Sequence, residues 1–304
     1  ATLNIPAGTT IRAQKGFDKY IIVAQGGTIN ANGTAGNPII FTVDDEANAE
    51  PGYWGGLIIN GRAPISGESA GTTAAAEVDN DQMYGGTDAA DNSGTIQYVE
   101  LLYTGARSSA DIEHNGLTLN GVGSGTTINN VYISEGADDA IEFFGGTVNV
   151  SNVLAVNCDD DMFDFTQGYS GTLDNCYGVW EEGFTSTEED PRGVEADGNL
   201  DGDYPGHTPQ SNFHIQNMTI ATYATGQEMQ DAIKVRRGAT ATIENALVTG
   251  NGVVADFIDV TDGNGAAAEA TVMSVTNQLA AAITGSKVHT PEGSAYDLSL
   301  IHIS

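Results

Sequence analysis

Carboxylates carry the chemical content of this 304-residue chain, and they recur at fixed offsets. One set occupies the middle slot of a repeated phrase: Thr118, Glu142, Asp164, Glu195, Lys234 and Asp259. A second set stands just ahead of it, as Asp138-Asp139 in one copy and Asp159-Asp160-Asp161 in the next. A third is local. Asp197-Gly-Asn199-Leu-Asp201-Gly202-Asp203 matches the first half of a calcium-loop pattern, with oxygen donors at alternate positions and glycine at the tight turn. The closing Glu of that pattern is absent, because position 208 is threonine, so Glu195 or a neighbouring loop must complete the shell. Asp138, Asp139, Asp160 and Asp161 either cap turn amides or supply the roughly six to eight oxygens that Ca²⁺ prefers. The expected metal ligands are these four together with Asp197, Asn199, Asp201 and Asp203, and the expected ion is Ca²⁺.

These sets meet in space only if the phrases stack. A six-residue phrase returns with asparagine in one slot: Ile128-Asn-Asn130-Val131-Tyr-Ile133, Val150-Ser-Asn152-Val153-Leu-Ala155 and Leu173-Asp-Asn175-Cys176-Tyr-Gly178. It returns again as Ile215-Gln-Asn217-Met218-Thr-Ile220 and Ile243-Glu-Asn245-Ala246-Leu-Val248. An earlier copy, Ile96-Gln-Tyr98-Val99-Glu-Leu101, has tyrosine there. Starts lie 32, 22, 23, 42 and 28 residues apart, a short period stretched by insertions. The second phrase runs in step, as in Asn115-Gly-Leu117-Thr-Leu119, Asp139-Ala-Ile141-Glu-Phe143 and Asp161-Met-Phe163-Asp-Phe165. Apolar and polar residues alternate with period two, so each phrase is a strand with one buried face. Short strands repeated at this period predict a solenoid. The fold class is all-β: a single-stranded parallel β-helix of about nine or ten coils, a rod roughly 45–50 Å long. Asn at the corner tolerates a left-handed backbone and stacks its amide on the next rung, an asparagine ladder.

One domain, residues 1–304, accounts for the whole chain, with irregular coils over 1–95, regular coils over 96–262 and a C-terminal coil or cap over 263–304. Two long insertions, Ser66–Ser93 and Glu181–Ser211, are expected to leave the rod. Ala266–Thr284 has apolar spacing that suits either an amphipathic helix or another irregular coil. Stacking has an electrostatic consequence. Two like charges about 5 Å apart repel by roughly 3 kcal/mol at an effective dielectric of about 20. The Glu142, Asp164, Glu195 column therefore needs Lys234, a bound cation, a raised pKa or escape into solvent, and a solvated acidic stripe is the plain expectation.

The net charge is −31. So acidic a surface repels phosphate backbones and anionic membranes, which excludes nucleic acid as a partner and favours cations. No apolar run approaches the length of a membrane span. The chain opens on Ala1 and at once on a strand, as a mature secreted protein would. Cys158 and Cys176 fall at different offsets in successive coils and are expected to be buried thiols rather than a disulfide. The final Leu298–Ser304 looks like a translated sequencing adapter, which implies a missing natural C-terminus.

Longer phrases carry a resemblance. Gly52-Tyr-Trp-Gly-Gly-Leu-Ile-Ile-Asn-Gly-Arg-Ala-Pro-Ile65, Asp91-Asn-Ser-Gly-Thr-Ile-Gln-Tyr-Val99 and Gly136-Ala-Asp-Asp-Ala-Ile-Glu-Phe-Phe-Gly-Gly-Thr147 are distinctive. With Gly116–Thr126 and Asp159–Phe165 they closely resemble secreted, right-handed parallel β-helix proteins of the Bacteroidota, lipoprotein-like and found at the cell surface. The resemblance covers roughly residues 1–262 and implies the fold and an extracellular location, with no catalytic residues to carry over. The functional expectation is a non-catalytic, calcium-binding structural or adhesive protein whose open N-terminal strand edge permits self-association into filaments. Its alternative is a polysaccharide-active enzyme, because parallel β-helices include lyases and hydrolases of acidic glycans. Lys234-Val-Arg236-Arg237 and the paired acids suit such chemistry superficially, yet the Gly-His-Gly segment of polygalacturonases is missing. His114, His207, His214, His289 and His302 form no column with the acids.

Overall fold

Alternating apolar residues give each strand one buried face, and the Gly, Asn and Asp between strands turn the chain after a few residues. In the computed structural model every such strand pairs in parallel with its counterpart one repeat on. The structure describes residues 1–109 and 112–261, and beyond them the backbone of the strands Val272–Thr276, Leu279–Ala280, Val288–His289 and Ala295–Tyr296. The first phrase builds one sheet running from Thr2–Ile5 through Gly94–Leu102 to Thr240–Glu244 and Val272–Thr276. Its inward column is Ile96, Ile128, Val150, Leu173, Ile215 and Ile243, each in register with the next. The second phrase builds another, Gly16–Val23, Trp54–Asn60, Leu117–Asn120, Ile141–Phe144, Phe163–Thr166 and Val194–Ala196 in spatial order. A separate four-stranded sheet prolongs it, Glu228–Lys234, Val253–Asp259, Val288–His289 and Ala295–Tyr296 in spatial order, linked through the bridge between Asp197 and Arg236. The fold is thus a parallel β-helix. Among the described residues the helical turns are two short 3-10 pieces, Glu46–Asn48 and Leu200–Gly202, and no helix is long and apolar enough to cross a membrane.

The interior is dry and apolar. Leu57, Leu117, Ile141 and Phe163 stack in register with no exposure. Phe143, Phe165, Tyr169 and Phe213 form an aromatic file with ring centroids 4.4 to 5.3 Å apart. Cys158 and Cys176 are free, buried thiols inside this core. Gly178 lets two coils pack closely: a β-carbon there would lie 2.2 Å from the Met162 sulfur.

The asparagine corner has the expected backbone. Asn130, Asn152, Asn175, Asn217 and Asn245 have φ between 54° and 56°, and Tyr98 has 49°. The amides stack in part. Asn175 donates to Asn152 Oδ1 (2.6 Å) and Asn245 to Asn217 Oδ1 (3.0 Å), but Asn217 turns to Asp174 Oδ1 (2.7 Å) where the long insertion breaks the period. Asn130 bonds its neighbour Asn129 instead (2.7 Å). The ladder faces solvent at an outer corner. A second left-handed corner, Tyr103, Glu135 and Asn157 with φ of 63°, 57° and 53°, has no common residue type and left no mark in the sequence.

At the far end, Val272–Thr276 pairs with Thr240–Glu244 and Leu279–Ala280 with Leu247 and Val248, so this part of Ala266–Thr284 is coil rather than helix. The rest of that stretch and the adapter-like Leu298–Ser304 lie outside the described residues.

An exposed amide contributes little, so the left-handed backbone is the larger part of each corner asparagine's role. In urea unfolding, Asn175→Ala is expected to cost about 1–2 kcal/mol and Asn175→Gly less than about 1 kcal/mol, because glycine adopts positive φ freely. Equal losses would assign the role to the amide bond instead.

Candidate acidic cleft

Parallel register fixes where the acids stand. Ile58, Thr118, Glu142, Asp164 and Glu195 occupy one outward column of the second sheet, one above the other. The solvated stripe expected there is not what forms. Both insertions fold back over this face instead of leaving the rod. The first makes an antiparallel hairpin, Thr73–Ala76 with Asp79–Gly85, and the second brings the turn Leu200–Gly202 across from the other side. The two are tied together: Gly67 N donates to Thr208 O (3.1 Å) and Thr208 N to Gly67 O (2.8 Å). Under this tie Ile65, Tyr84 and Phe144 form a small apolar cluster against Leu200. The Tyr84 hydroxyl donates to Gln167 Oε1 at 2.6 Å. Gly145, at φ 67°, leaves room for the crossing, since a β-carbon there would lie 2.7 Å from Ile65. Closing apolar residues over charged ones creates a recess, not a surface.

The recess is a cleft of about 500 Å³. Glu142 and Asp164 form its floor, Asp138, Asp139 and Asp160 its corner, and Glu77, Glu113 and Asp201 its mouth. Oxygens of Asp139, Glu142 and Asp164 lie within 4.8 Å of one another, and so do those of Asp138, Asp139 and Asp160. Asn115 Nδ2 donates to Glu142 Oε2 at 2.6 Å. By contrast, Asp160 Oδ1 and Asp164 Oδ1 are buried without a hydrogen-bond partner among the described residues. Arg107 clasps the rim, with Nε 3.2 Å from Glu113 and a terminal nitrogen 3.8 Å from Asp138, and it also pairs with Glu188.

Burial in this company drives the carboxyls toward their neutral forms. Asp138, Asp139, Glu142 and Asp164 are all raised well above the usual carboxylate range, first by loss of water and then by neighbouring anions. Burial, with Glu188 and Asp190 adding to it, lifts Asp160 to about 7. Glu77 also rises to about 7; the residue is exposed at the mouth, but its carboxyl lines the recess. Further along the same face the charges are balanced. Arg192 and Arg236 both pair with Glu195, Arg192 Nε lies 3.2 Å from Asp231, and Lys234 pairs with Asp259. The column expected from the repeat thus divides into a half whose carboxyls are pushed toward their neutral forms by burial and a half whose charges are paired.

The eight expected ligands separate accordingly. Asp138, Asp139 and Asp160 converge. Asp161 does not join them: its Oδ1 accepts from Arg192 N (2.8 Å), as Asp139 Oδ1 accepts from Asp161 N (2.8 Å), a ladder of turn caps. Asp197 is held by Arg236 (3.0 Å) and Arg237 (3.3 Å). Asn199 is fully buried and staples its loop, accepting from Tyr204 N (2.7 Å) and donating to Gln210 (3.1 Å). Asp203 is exposed, and Asp201 alone of that loop reaches the cleft. Sequence reasoning missed Glu77, Glu113, Asn115 and Arg107. It missed Arg192 too, although the shortened copy Gly193–Ala196 places that residue at the position Asp161 holds one coil earlier. His114 lies apart, packed against Phe17 and Tyr20, and burial lowers it to about 4.

Two kinds of chemistry follow. Close, buried carboxyls whose pKa values are raised can provide an acid and a base side by side. A donor set made only of oxygens suits a hard cation such as Ca²⁺ or Mg²⁺.

Across residues 1–297 the sequence matches the profile of a family described as a pectate-lyase-like β-helix domain. No curated protein matches it. Among solved structures, an alginate lyase from Paenibacillus sp. str. FPU-7 is similar, with a TM-score of 0.43 and 12% identity over 93% of this chain and 96% of that one.

A carboxyl whose folded-state pKa is raised favours folding below its ordinary pKa and loses that contribution as pH rises to the folded value. For Asp160, raised from 3.8 to about 7, the window runs between those two values. In chelator, Asp160→Asn is expected to gain stability relative to the parent by on the order of 1–3 kcal/mol between pH 4 and pH 8. Parallel pH–stability curves for the two proteins would mean that Asp160 is solvated.

Proposed function

The chain belongs to the pectate-lyase-like β-helix domain family, and we propose that it cleaves a glycosidic bond of an uncharged polysaccharide bound in the acidic cleft. The observation that carries this reading is the walled group Asp139, Glu142 and Asp164, whose oxygens are too close for all three to ionise. Close spacing alone is automatic in a solenoid. Enclosure by both insertions is not, and it is burial that pushes these groups toward their neutral forms.

Hydrogen bonding separates their roles. The Asn115 amide favours the ionised form of Glu142, while the partnerless oxygen of Asp164 favours its protonated form. Asp164 is the acid, giving its proton to the glycosidic oxygen as the bond breaks. Glu142 is the base or nucleophile at the sugar's anomeric carbon, at a separation near the roughly 5 Å of retaining hydrolases. An uncharged glycan fits because a polyanion would meet a wall of carboxylates with one arginine at its rim. Such a substrate goes with an extracellular, cell-surface location.

The corner set supports a second reading. Asp138, Asp139 and Asp160 offer oxygens at cation-binding spacing, and Asp160 keeps one buried oxygen without a partner. Ca²⁺ held there would neutralise the corner and give a uronate carboxylate a ligand position, which admits acidic glycans. A purely adhesive or filament-forming role would make no use of the enclosed acids.

Neutral glycans incubated with the protein are expected to give new reducing ends without unsaturated products. Glu142→Gln and Asp164→Asn should each lower the rate by roughly 10²–10⁴-fold while leaving the melting temperature of the protein within a few degrees. Products from neither neutral nor acidic glycans would return the protein to the adhesive class. Unsaturated products from polyuronates, formed only with calcium, would establish the second reading.

Calcium is also expected to raise the melting temperature, since a ligand bound only by the folded state adds about 2.7 kcal/mol at 100 times its dissociation constant. Asp138→Asn should remove that gain. An unchanged melting temperature between chelator and millimolar calcium would leave the corner acids as a proton store without a metal.

A further inference from the structure

A second concavity, of about 380 Å³, lies on the outer face of the first sheet and shares no lining residue with the cleft. Val179 is part of its lining, Tyr177 and Tyr223 bring two aromatic rings to it, and Glu181, Glu182, Thr225 and Asn251 complete it. Tyr223 is 42% exposed, an unusual place for an aromatic side chain, and it lines the pocket together with Tyr177. The pocket ends an apolar row. Tyr132, Leu154 and Tyr177 stand on successive rungs in register, and Leu154 is 39% exposed. Beside them Val156, Val179 and Ala221 make a buried apolar strip on the outside of the rod. Glu181 is fixed in place: its backbone N donates to Asn157 Oδ1 (2.9 Å) and its carboxylate accepts from Asn157 Nδ2 (3.2 Å).

We infer that this pocket binds an amino-sugar unit of a glycan through its ammonium group, at a site separate from the cleft. Three features converge on that class. Aromatic faces beside an aliphatic row suit the C–H face of a pyranose ring and also attract a cation over them. Glu181 and Glu182 supply negative charge, and among the described residues no basic side chain lines the pocket. Thr225 and Asn251 offer a hydroxyl and an amide for the ring hydroxyls, which a simple amine would leave unused. The charge complementarity is local as well as general, since the whole chain carries −31. A row of side chains at rung spacing extends the contact along a chain rather than to a single sugar.

The test is calorimetric titration with glucosamine oligomers, their N-acetylated forms and glucose oligomers at fixed moderate salt. Glucosamine oligomers are expected to bind, and acetylation, which removes the charge, to weaken binding by about tenfold or more. Tyr223→Ala and the double change Glu181→Gln with Glu182→Gln should each weaken it by roughly three- to tenfold. Tyr223→Phe should retain it, which controls for folding. Glu142→Gln, in the cleft, should bind like the parent, so failure here and failure of glycan cleavage are read independently. No binding, equal binding of acetylated and free amines, or binding untouched by Tyr223→Ala would overturn the inference; the last would mean general attraction to an acidic surface.

Discussion

Parallel register is the constraint on which the rest of this molecule depends. Backbone pairing sets each rung about 4.8 Å above the last and places equivalent positions directly over one another. Repetition is favourable for apolar and amide positions: Leu57, Leu117, Ile141 and Phe163 pack into a continuous core, and the corner asparagines share one backbone conformation. For acids the same geometry is costly, since a carboxylate repeated on the next rung meets its own charge. The chain resolves that conflict in two ways along one face. Arginine and lysine are interleaved in one half, and burial pushes the carboxyls toward their neutral forms in the other.

The second solution requires more than stacking. Carboxyls on an open sheet would ionise and fan into water. The hairpin and the long second insertion deny them that route, and they do so with an apolar seal of Ile65, Tyr84 and Phe144 against Leu200. The unpaired oxygens of Asp160 and Asp164 lie beneath that cover. The cleft therefore stores unfavourable electrostatics at the expense of overall stability, which is the pattern expected of a working site rather than of a scaffold.

The fold was legible because it is periodic. Five asparagines in one slot and a second phrase in step gave the strands, their register and the carboxylate column at Glu142, Asp164 and Glu195. The cleft was only half legible, for the matching reason. Its walls come from Ser66–Ser93 and Glu181–Ser211, where the period lapses and no local pattern says which way a loop will fold. Composition alone suggested excursions into solvent. Glu77 and Asp201 enter the site through tertiary packing, and Arg107 through a loop that closes from beside it. The calcium-like spacing at Asp197–Asp203 was a partial guide for a related reason: alternate oxygen donors describe a loop's chemistry, whereas the partners of Asp197, Arg236 and Arg237, come more than thirty residues later.

The paired hydrogen bonds between Gly67 and Thr208 join two loops that are far apart in the chain but meet over the same sheet. Loops on a solenoid are ordinarily free to vary one at a time, because each coil contacts only its neighbours. Here that independence is lost. A lengthening of either loop must be matched by the other or the arch over the acids parts at its keystone, so the two insertions form a single inherited unit. Coils elsewhere on the rod can be gained, lost or redecorated without that bond.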